Sequence, residues 1–505
     1  MRKATLTKLI ENLTLKLTPE DEALLEGEIL EEEMLEAILW SPNGKAPGSD
    51  TLPYEAYKAA PEKAARALVG IANMVTTEGI QPNSWRDLIV SVLPKEADSY
   101  TTHKFRPISL LNTDYKLVMR VWANRLGPIL ARLMGHHQRG FIPGRDGREN
   151  IINVQLIMDL INARMDDEGA VLFLDQEKAF DMVSFTSINT IFAQLNWPVR
   201  FQALLATVYA KNKIKARVRV NGKVSGEHFN VNSGTRQGCP LSPLIYAVVA
   251  DLFNMAVISD PDFKGHETTE GNFVKISAYA DDTAVHIGQT RDITISQRHL
   301  GRYSRATGGK TNLTKSEAVL LGTWREKSPE MGIRVVKAAK YLGIITGDDP
   351  ELLQKAICDR IDKISAQLDH WDKRISSSPV DRAMVAKVMC LSIAWYHAGL
   401  MPGWEGHLAT LEKRVTRFIW KGTLSKVAKQ TLLMKKEEGG LRVWALQAKA
   451  EAFRNTWLLK FILGKLNPLL QGTIAAISEL YRQREEADIP LWESKLDHSA
   501  EIVKK

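Results

Sequence analysis

The stretch FVKISAYADDTAVHIG, Phe273 to Gly288, limits what this chain can fold into more than any other. Ile276, Ala278 and Ala280 alternate with Ser277 and Tyr279, and Ala284, Val285 and Ile287 resume beyond Asp281 and Asp282. A period of two on both sides of one acidic pair reads as strand, tight turn, strand. The turn lifts two adjacent carboxylates to the tip of a hairpin held on a sheet, a placement suited to fixing metal ions. Asp also favours turns for its own backbone preferences, so this stretch alone leaves a plain turn open.

Other segments supply partners for that hairpin. Ala170-Val171-Leu172-Phe173-Leu174 is a continuous apolar run ending in Asp175. Such a run implies a strand buried on both faces. Asp175, followed by Lys178, Phe180 and Asp181, is either a site carboxylate or a helix N-cap. Lys211, Lys213, Lys215, Arg217 and Arg219 occupy alternate positions, with Ile214, Ala216, Val218 and Val220 between them. That predicts a strand with one cationic and one apolar face, closed by the hairpin signal Asn221-Gly222. The cations make a phosphate track or a solvated outer face. Apolar strands are predicted at Leu88–Leu93 and Phe105–Leu110, with Lys95, Lys104 and Arg106 at their ends. Short strands are also predicted at Ala318–Leu321 and Tyr341–Ile344.

Helices are predicted over Tyr115–Met134 (interrupted at Gly127-Pro128), Asn150–Met165, Leu244–Val257 and 294–307. Gly/Pro loops cover 41–50, 140–145 and 233–243. Beyond residue 350 the pattern is helical: Leu353, Ile357, Ile361, Ile364, Leu368 and Trp371 keep a three-four spacing.

The 67 Lys and Arg against 59 Asp and Glu give a net charge of +8, which favours a polyanionic partner. Cys239, Cys358 and Cys390 are scattered, which excludes a disulfide framework and a zinc knuckle. No apolar run approaches the roughly 18–20 residues that span a bilayer, so no membrane partner is expected. The first forty residues turn acidic from Glu20 to Glu36, unlike a signal or transit peptide. A soluble, intracellular protein is the expectation.

Taken in order, the segments resemble the reverse transcriptases of LINE-type (non-LTR) retrotransposons. The matching stretches are GKAPGSDTLP (44 to 53), LPKEADSYTTHKFRPISLLNTDYKLVMRVWANRL (93 to 126), GFIPGRDGRENI (140 to 151) and FLDQEKAFDMVS (173 to 184). GTRQGCPLSP (234 to 243), AYADDT (278 to 283), TGGKTNLTKSEAV (307 to 319) and KYLGI (340 to 344) follow. The resemblance implies an α+β right-hand polymerase, with fingers, an antiparallel-sheet palm, a helical thumb and an α-helical C-terminal extension. Residues 1–40 are then a helical acidic leader and 41–150 fingers. Residues 151–345 are palm with finger insertions, 350–470 thumb and post-polymerase region, and 471–505 a charged tail.

By the same resemblance Asp175, Asp281 and Asp282 are the catalytic carboxylates. They would hold two Mg²⁺ ions, with Mn²⁺ as a substitute. Phe180 matches the aromatic gate against the ribose 2′-hydroxyl, and Lys95 and Arg106 match residues that hold the triphosphate. Gln237 and Gly238 match the loop beside the nascent base pair, and Lys315 a proton donor. The implied partners are an RNA template, a DNA primer and deoxynucleoside triphosphates, and the implied location is the nucleus. LINE-type elements usually carry a nuclease before the polymerase, and a leader of about forty residues is too short for one. A truncated element with its endonuclease supplied in trans is therefore expected. A catalytically silent RNA-binding protein and an intron maturase-like protein are the alternatives.

Overall fold

The structure, a computed structural model, describes residues 2–94, 101, 105–164, 167–375, 378–423 and 425–486. The strands of its two five-stranded sheets and of one further hairpin, in chain order, are β1 (Asp87–Pro94), β2 (Phe105–Leu110), β3 (Glu168–Leu174), β4 (Ile214–Val220), β5 (Lys223–Val224) and β6 (Phe229–Val231). They continue with β7 (Ile276–Tyr279), β8 (Asp282–Ile287), β9 (Glu317–Gly322), β10 (Arg334–Val336), β11 (Ala338–Tyr341) and β12 (Ile344–Gly347). One sheet has the order β2-β1-β4-β5, with β6 also paired to β4. The other has the order β7-β8-β3-β9-β10 and is antiparallel except at its last pair.

Strand β3 lies in the middle of this second sheet, and its side chains alternate between two cores. Ala170, Leu172 and Leu174 join the larger one, and Val171 and Phe173 the other. That is why the run is apolar at every position: neither face meets water. Burying each of its larger side chains contributes roughly 1.5–3 kcal/mol. The larger core is filled from one side by the helix Ser242–Ile258, which is apolar almost all round and buried accordingly. The other core receives the helix Arg148–Ala163 and the helices beyond residue 350.

The acidic leader is three helices, Arg2–Ile10, Pro19–Glu26 and Glu31–Leu39. Leu6, Leu9, Ile10, Leu13, Leu15 and Leu25 enter the larger core. Arg125, buried on the helix Thr113–Leu133, ties this layer down. Its guanidinium donates to both Glu33 carboxylate oxygens at 2.6 Å and to the carbonyls of Leu24, Gly27 and Glu28. Paired and fully hydrogen-bonded, it meets the terms on which an arginine can be buried.

Four expectations need correction. The Thr113–Leu133 helix runs unbroken through Pro128. Leu126, Ile129 and Leu130 are buried around it, and that packing outweighs the ~3 kcal/mol cost of an internal proline. Tyr341–Ile344 is not a strand. Tyr341 ends β11 and Ile344 begins β12, with Leu342 (φ 47°) and Gly343 (φ 88°) forming the two-residue turn between them. Strand β4 begins at Ile214, so Lys211 and Lys213 precede the strand, and only Lys215, Arg217 and Arg219 alternate along it. The charged tail begins as a helix, Pro468–Glu486, whose Leu470, Ala476 and Ile477 pack against Leu156 and Leu160. No helix among the described residues is long and apolar enough to cross a membrane.

Candidate active site

The acidic hairpin forms as its alternation implies. Tyr279 pairs with Asp282 across β7 and β8, leaving Ala280 and Asp281 as the turn. Ala280 has φ 56°, a left-handed conformation that a non-glycine residue adopts only when its surroundings hold it there. On the other side, Thr283 of β8 pairs with Leu174 of β3. Asp175 follows Leu174, so Asp175, Asp281 and Asp282 gather at one end of three adjacent strands.

Both backbones are fastened. The Asp175 N–H donates to Ser316 Oγ at 3.1 Å, and its carbonyl accepts from the Asn312 N–H at 2.7 Å. Gln138 holds the turn: its buried Oε1 accepts from the N–H of Ala280 at 2.9 Å and from that of Gly140 at 2.8 Å. The Ala278 N–H donates to the His137 carbonyl, and the Ala278 carbonyl accepts from the Arg139 N–H and from Asn150 Nδ2. Sequence reasoning missed Gln138, His137 and Asn150. The available signal was Gly140, where a Cβ would stand 2.2 Å from the Ala280 nitrogen.

The three carboxylates repel one another. Desolvation, with the charge of Asp175 beside it, raises Asp281 above its ordinary range. Solvent still reaches Asp282 at the strand end, but protein crowds it on most sides. Desolvation and the charges of Asp281 and Asp175 push it up to about 6. Asp282 is therefore more easily kept protonated when folded than when unfolded, where its value is near 3.8. Its contribution to stability is fully present below pH ~4 and is lost as pH rises through about 6. The Asp282→Asn variant is expected to melt a few degrees above the wild type at pH 7.5 without divalent ions, with the gap closing towards pH 4. Added Mg²⁺ should raise the wild-type melting temperature more than the variant's. Identical melting at pH 7.5 would contradict this repulsion.

No three His, Cys, Asp or Glu side chains among the described residues cluster closely enough to enclose a metal ion unaided. The carboxylates nevertheless fit Mg²⁺, which takes hard oxygen ligands, keeps several waters and commonly binds one or two carboxylates together with substrate phosphates.

Phe180 lies on the short helix Ala179–Met182, half-buried. Its ring stacks on Tyr246 at 4.4 Å and meets Phe141 edge-on at 5.7 Å. The 233–243 loop reaches the same helix. The Thr235 N–H donates to the Phe180 carbonyl at 2.6 Å, and Gln237 Nε2 donates to Asp181 Oδ1 at 3.1 Å. The loop also joins the first sheet. The Gln237 carbonyl accepts from the Ser109 N–H at 2.9 Å, and Gly238 (φ 122°) sits where a Cβ would come within 2.7 Å of the Ser109 carbonyl. Arg106 is exposed on β2, opposite Leu93. Lys95 and Lys104 lie outside the described residues. Lys315 is exposed in the turn before β9, next to the Ser316 that pins Asp175. Of the cations on β4, Arg217 is spent on Asp87 at 2.7 Å, while Lys215 is exposed. The structure thus brings the three aspartates together and links Phe180 to Gln237 through Asp181.

Residues 93–346 match the family model for reverse transcriptase (RNA-dependent DNA polymerase). The chain is 27% identical over 91% of its length to the transposon TX1 uncharacterized 149 kDa protein of Xenopus laevis. It is 28% identical over 56% of its length to a probable RNA-directed DNA polymerase from transposon BS of Drosophila melanogaster. Over 35% of its length it is 32% identical to a Pol polyprotein from a type-1 retrotransposable element R2 of Nasonia vitripennis. The chain covers 35%, 30% and 17% of those relatives, respectively. It belongs to the reverse transcriptase family, and the resemblance to the enzymes of non-LTR retrotransposons is borne out.

Proposed function

We propose that this protein is an RNA-directed DNA polymerase that adds deoxynucleotides to a primer 3′-hydroxyl on an RNA template. The convergence of Asp175, Asp281 and Asp282 at one end of three hydrogen-bonded strands carries the reading. In this assignment the β3-containing sheet is the palm, the sheet holding β1 and β2 belongs to the fingers, and the helices beyond residue 350 form the thumb. The primer oxygen attacks the α-phosphorus, the bond to pyrophosphate breaks, and the hydroxyl proton passes to solvent water. Two Mg²⁺ ions, when bound, supply activation of that oxygen and neutralisation of the leaving group. Asp175, Asp281 and Asp282 would hold them.

The chain's other residues select and position. Phe180 presents a rigid aromatic wall, backed by buried Tyr246, to the sugar of the incoming nucleotide. Arg106 and Lys95 would draw in the triphosphate, with Gln237 and Gly238 under the nascent pair. Lys315 would give a proton to the departing pyrophosphate. Lys215 and Arg219, with Lys211 and Lys213 ahead of them, would draw the nucleic-acid backbone. Activity in the nucleus belongs to the same proposal.

The test is extension of a DNA primer on a heteropolymeric RNA template with Mg²⁺ and deoxynucleotides. Folded protein that binds the duplex and never extends it sinks the reading. Phe180→Val is expected to keep deoxynucleotide extension and to raise relative ribonucleotide incorporation by about tenfold or more. An unchanged ratio would remove Phe180 from the gate.

A further inference from the structure

A second site lies beside the first, where the N-terminus of the Arg148–Ala163 helix meets the C-terminal helices Ser392–Ala398 and Leu446–Ile462. It is a half-enclosed pocket of about 210 Å³ whose walls include Arg148, Trp395, Tyr396, Phe453 and Trp457. Four aromatic rings around so small a space leave room for one flat heterocycle. Gly399 in its lining is under pressure to stay small, since a Cβ there would stand 3.2 Å from Phe453.

Cations flank the rings on both sides. Arg148 lies over Trp457 at 5.2 Å and Lys460 over it at 4.5 Å. Lys449 lies closest over Trp444 at 2.7 Å and 4.7 Å over Trp395, whose indole N–H is buried with no hydrogen-bond partner. Two acids stand at this edge: Asp146, paired with both Arg148 and Lys460, and Glu149, 4.0 Å from Lys460. The pocket connects to the acidic hairpin through Gly147 and Tyr279. Gly147, the residue before Arg148, abuts the ring of Tyr279, two residues before Asp281. The Tyr396 hydroxyl donates to the Leu342 carbonyl in the β11–β12 turn at 2.9 Å.

We infer that this pocket takes one unpaired nucleobase of the nucleic acid held at the catalytic carboxylates. The inference rests on the polymerase reading for what that nucleic acid is. Aromatic faces accept any base by stacking, with cation–π support from the flanking Arg and Lys. The pocket thus fixes the register of a single strand without reading its sequence.

The experiment measures binding of labelled primer–template duplexes to the full chain. The duplexes carry a single-stranded 5′ or 3′ template overhang, with one abasic residue moved along it. One position in one overhang is expected to weaken binding about tenfold in the wild type, and the overhang that shows it identifies the strand segment. Tyr396→Ala, at a ring that is itself exposed, and Phe453→Ala should both flatten the profile while melting close to the wild type. A flat wild-type profile, or a peak that persists in both variants, overturns the inference. Primer extension by the same protein separates the two claims. Extension with a flat profile removes the pocket alone, whereas a peak without extension removes the polymerase reading and leaves the pocket.

Discussion

Asp281→Asn abolishes primer extension, by on the order of 10³-fold or more, while binding of the primer–template stays near wild type. The substitution keeps the shape of the turn, because Ala280 rather than Asp281 carries the left-handed backbone and the fastening hydrogen bond. It removes one of three charges that sit together against their own repulsion. The free protein therefore loses nothing in stability and melts at or above the wild-type temperature. A variant that extends primers within tenfold of the wild type would show that Asp281 holds no catalytic ion. One that melts well below the wild type would show a structural role instead.

Gly140→Ala is expected to cost extension about as much as a misplaced catalytic group does, ~10²-fold, without touching a carboxylate. The added Cβ would stand 2.2 Å from the Ala280 nitrogen and 2.7 Å from the Tyr279 carbonyl carbon. These are backbone atoms, so the turn has to move. Its displacement also breaks the shared acceptor, since Gln138 Oε1 serves the Gly140 and Ala280 amides together. The melting temperature should fall by several degrees. Gly70→Ala, in open space on an exposed helix position, is the control and should leave extension unchanged. Wild-type extension by Gly140→Ala would mean that the turn tolerates displacement and that its position does not govern the chemistry.

The parts of this site that follow a short period were legible in the sequence. The alternation around Asp281 and Asp282 and the apolar run before Asp175 each specify a strand, and pairing them is what a buried central strand requires. What supports the turn was not legible. Gln138 acts from a bend between a helix and a glycine loop, 142 residues from Ala280, where no periodicity marks a buried amide. The five-cation stripe was over-read for a related reason. Alternation continues through Lys211 and Lys213, but the left-handed Asn212 (φ 56°) interrupts the extended chain before Ile214. Pro128 misled in the opposite direction, because local helix preference yields where neighbours on both sides are buried.

The helix Arg2–Ile10 has its largest single contact with the helix Thr290–Thr307, and also touches Phe185–Gln194 and Ser242–Ile258. A ribosome supplies about 5–20 residues per second, so some 280 residues of further synthesis keep Leu6, Leu9 and Ile10 waiting for roughly 15–60 s. During that interval the nascent protein carries a greasy segment whose largest docking surface is not yet made. Holdase occupancy at that segment during translation should govern the yield of folded protein, a demand set by chain order rather than by final stability.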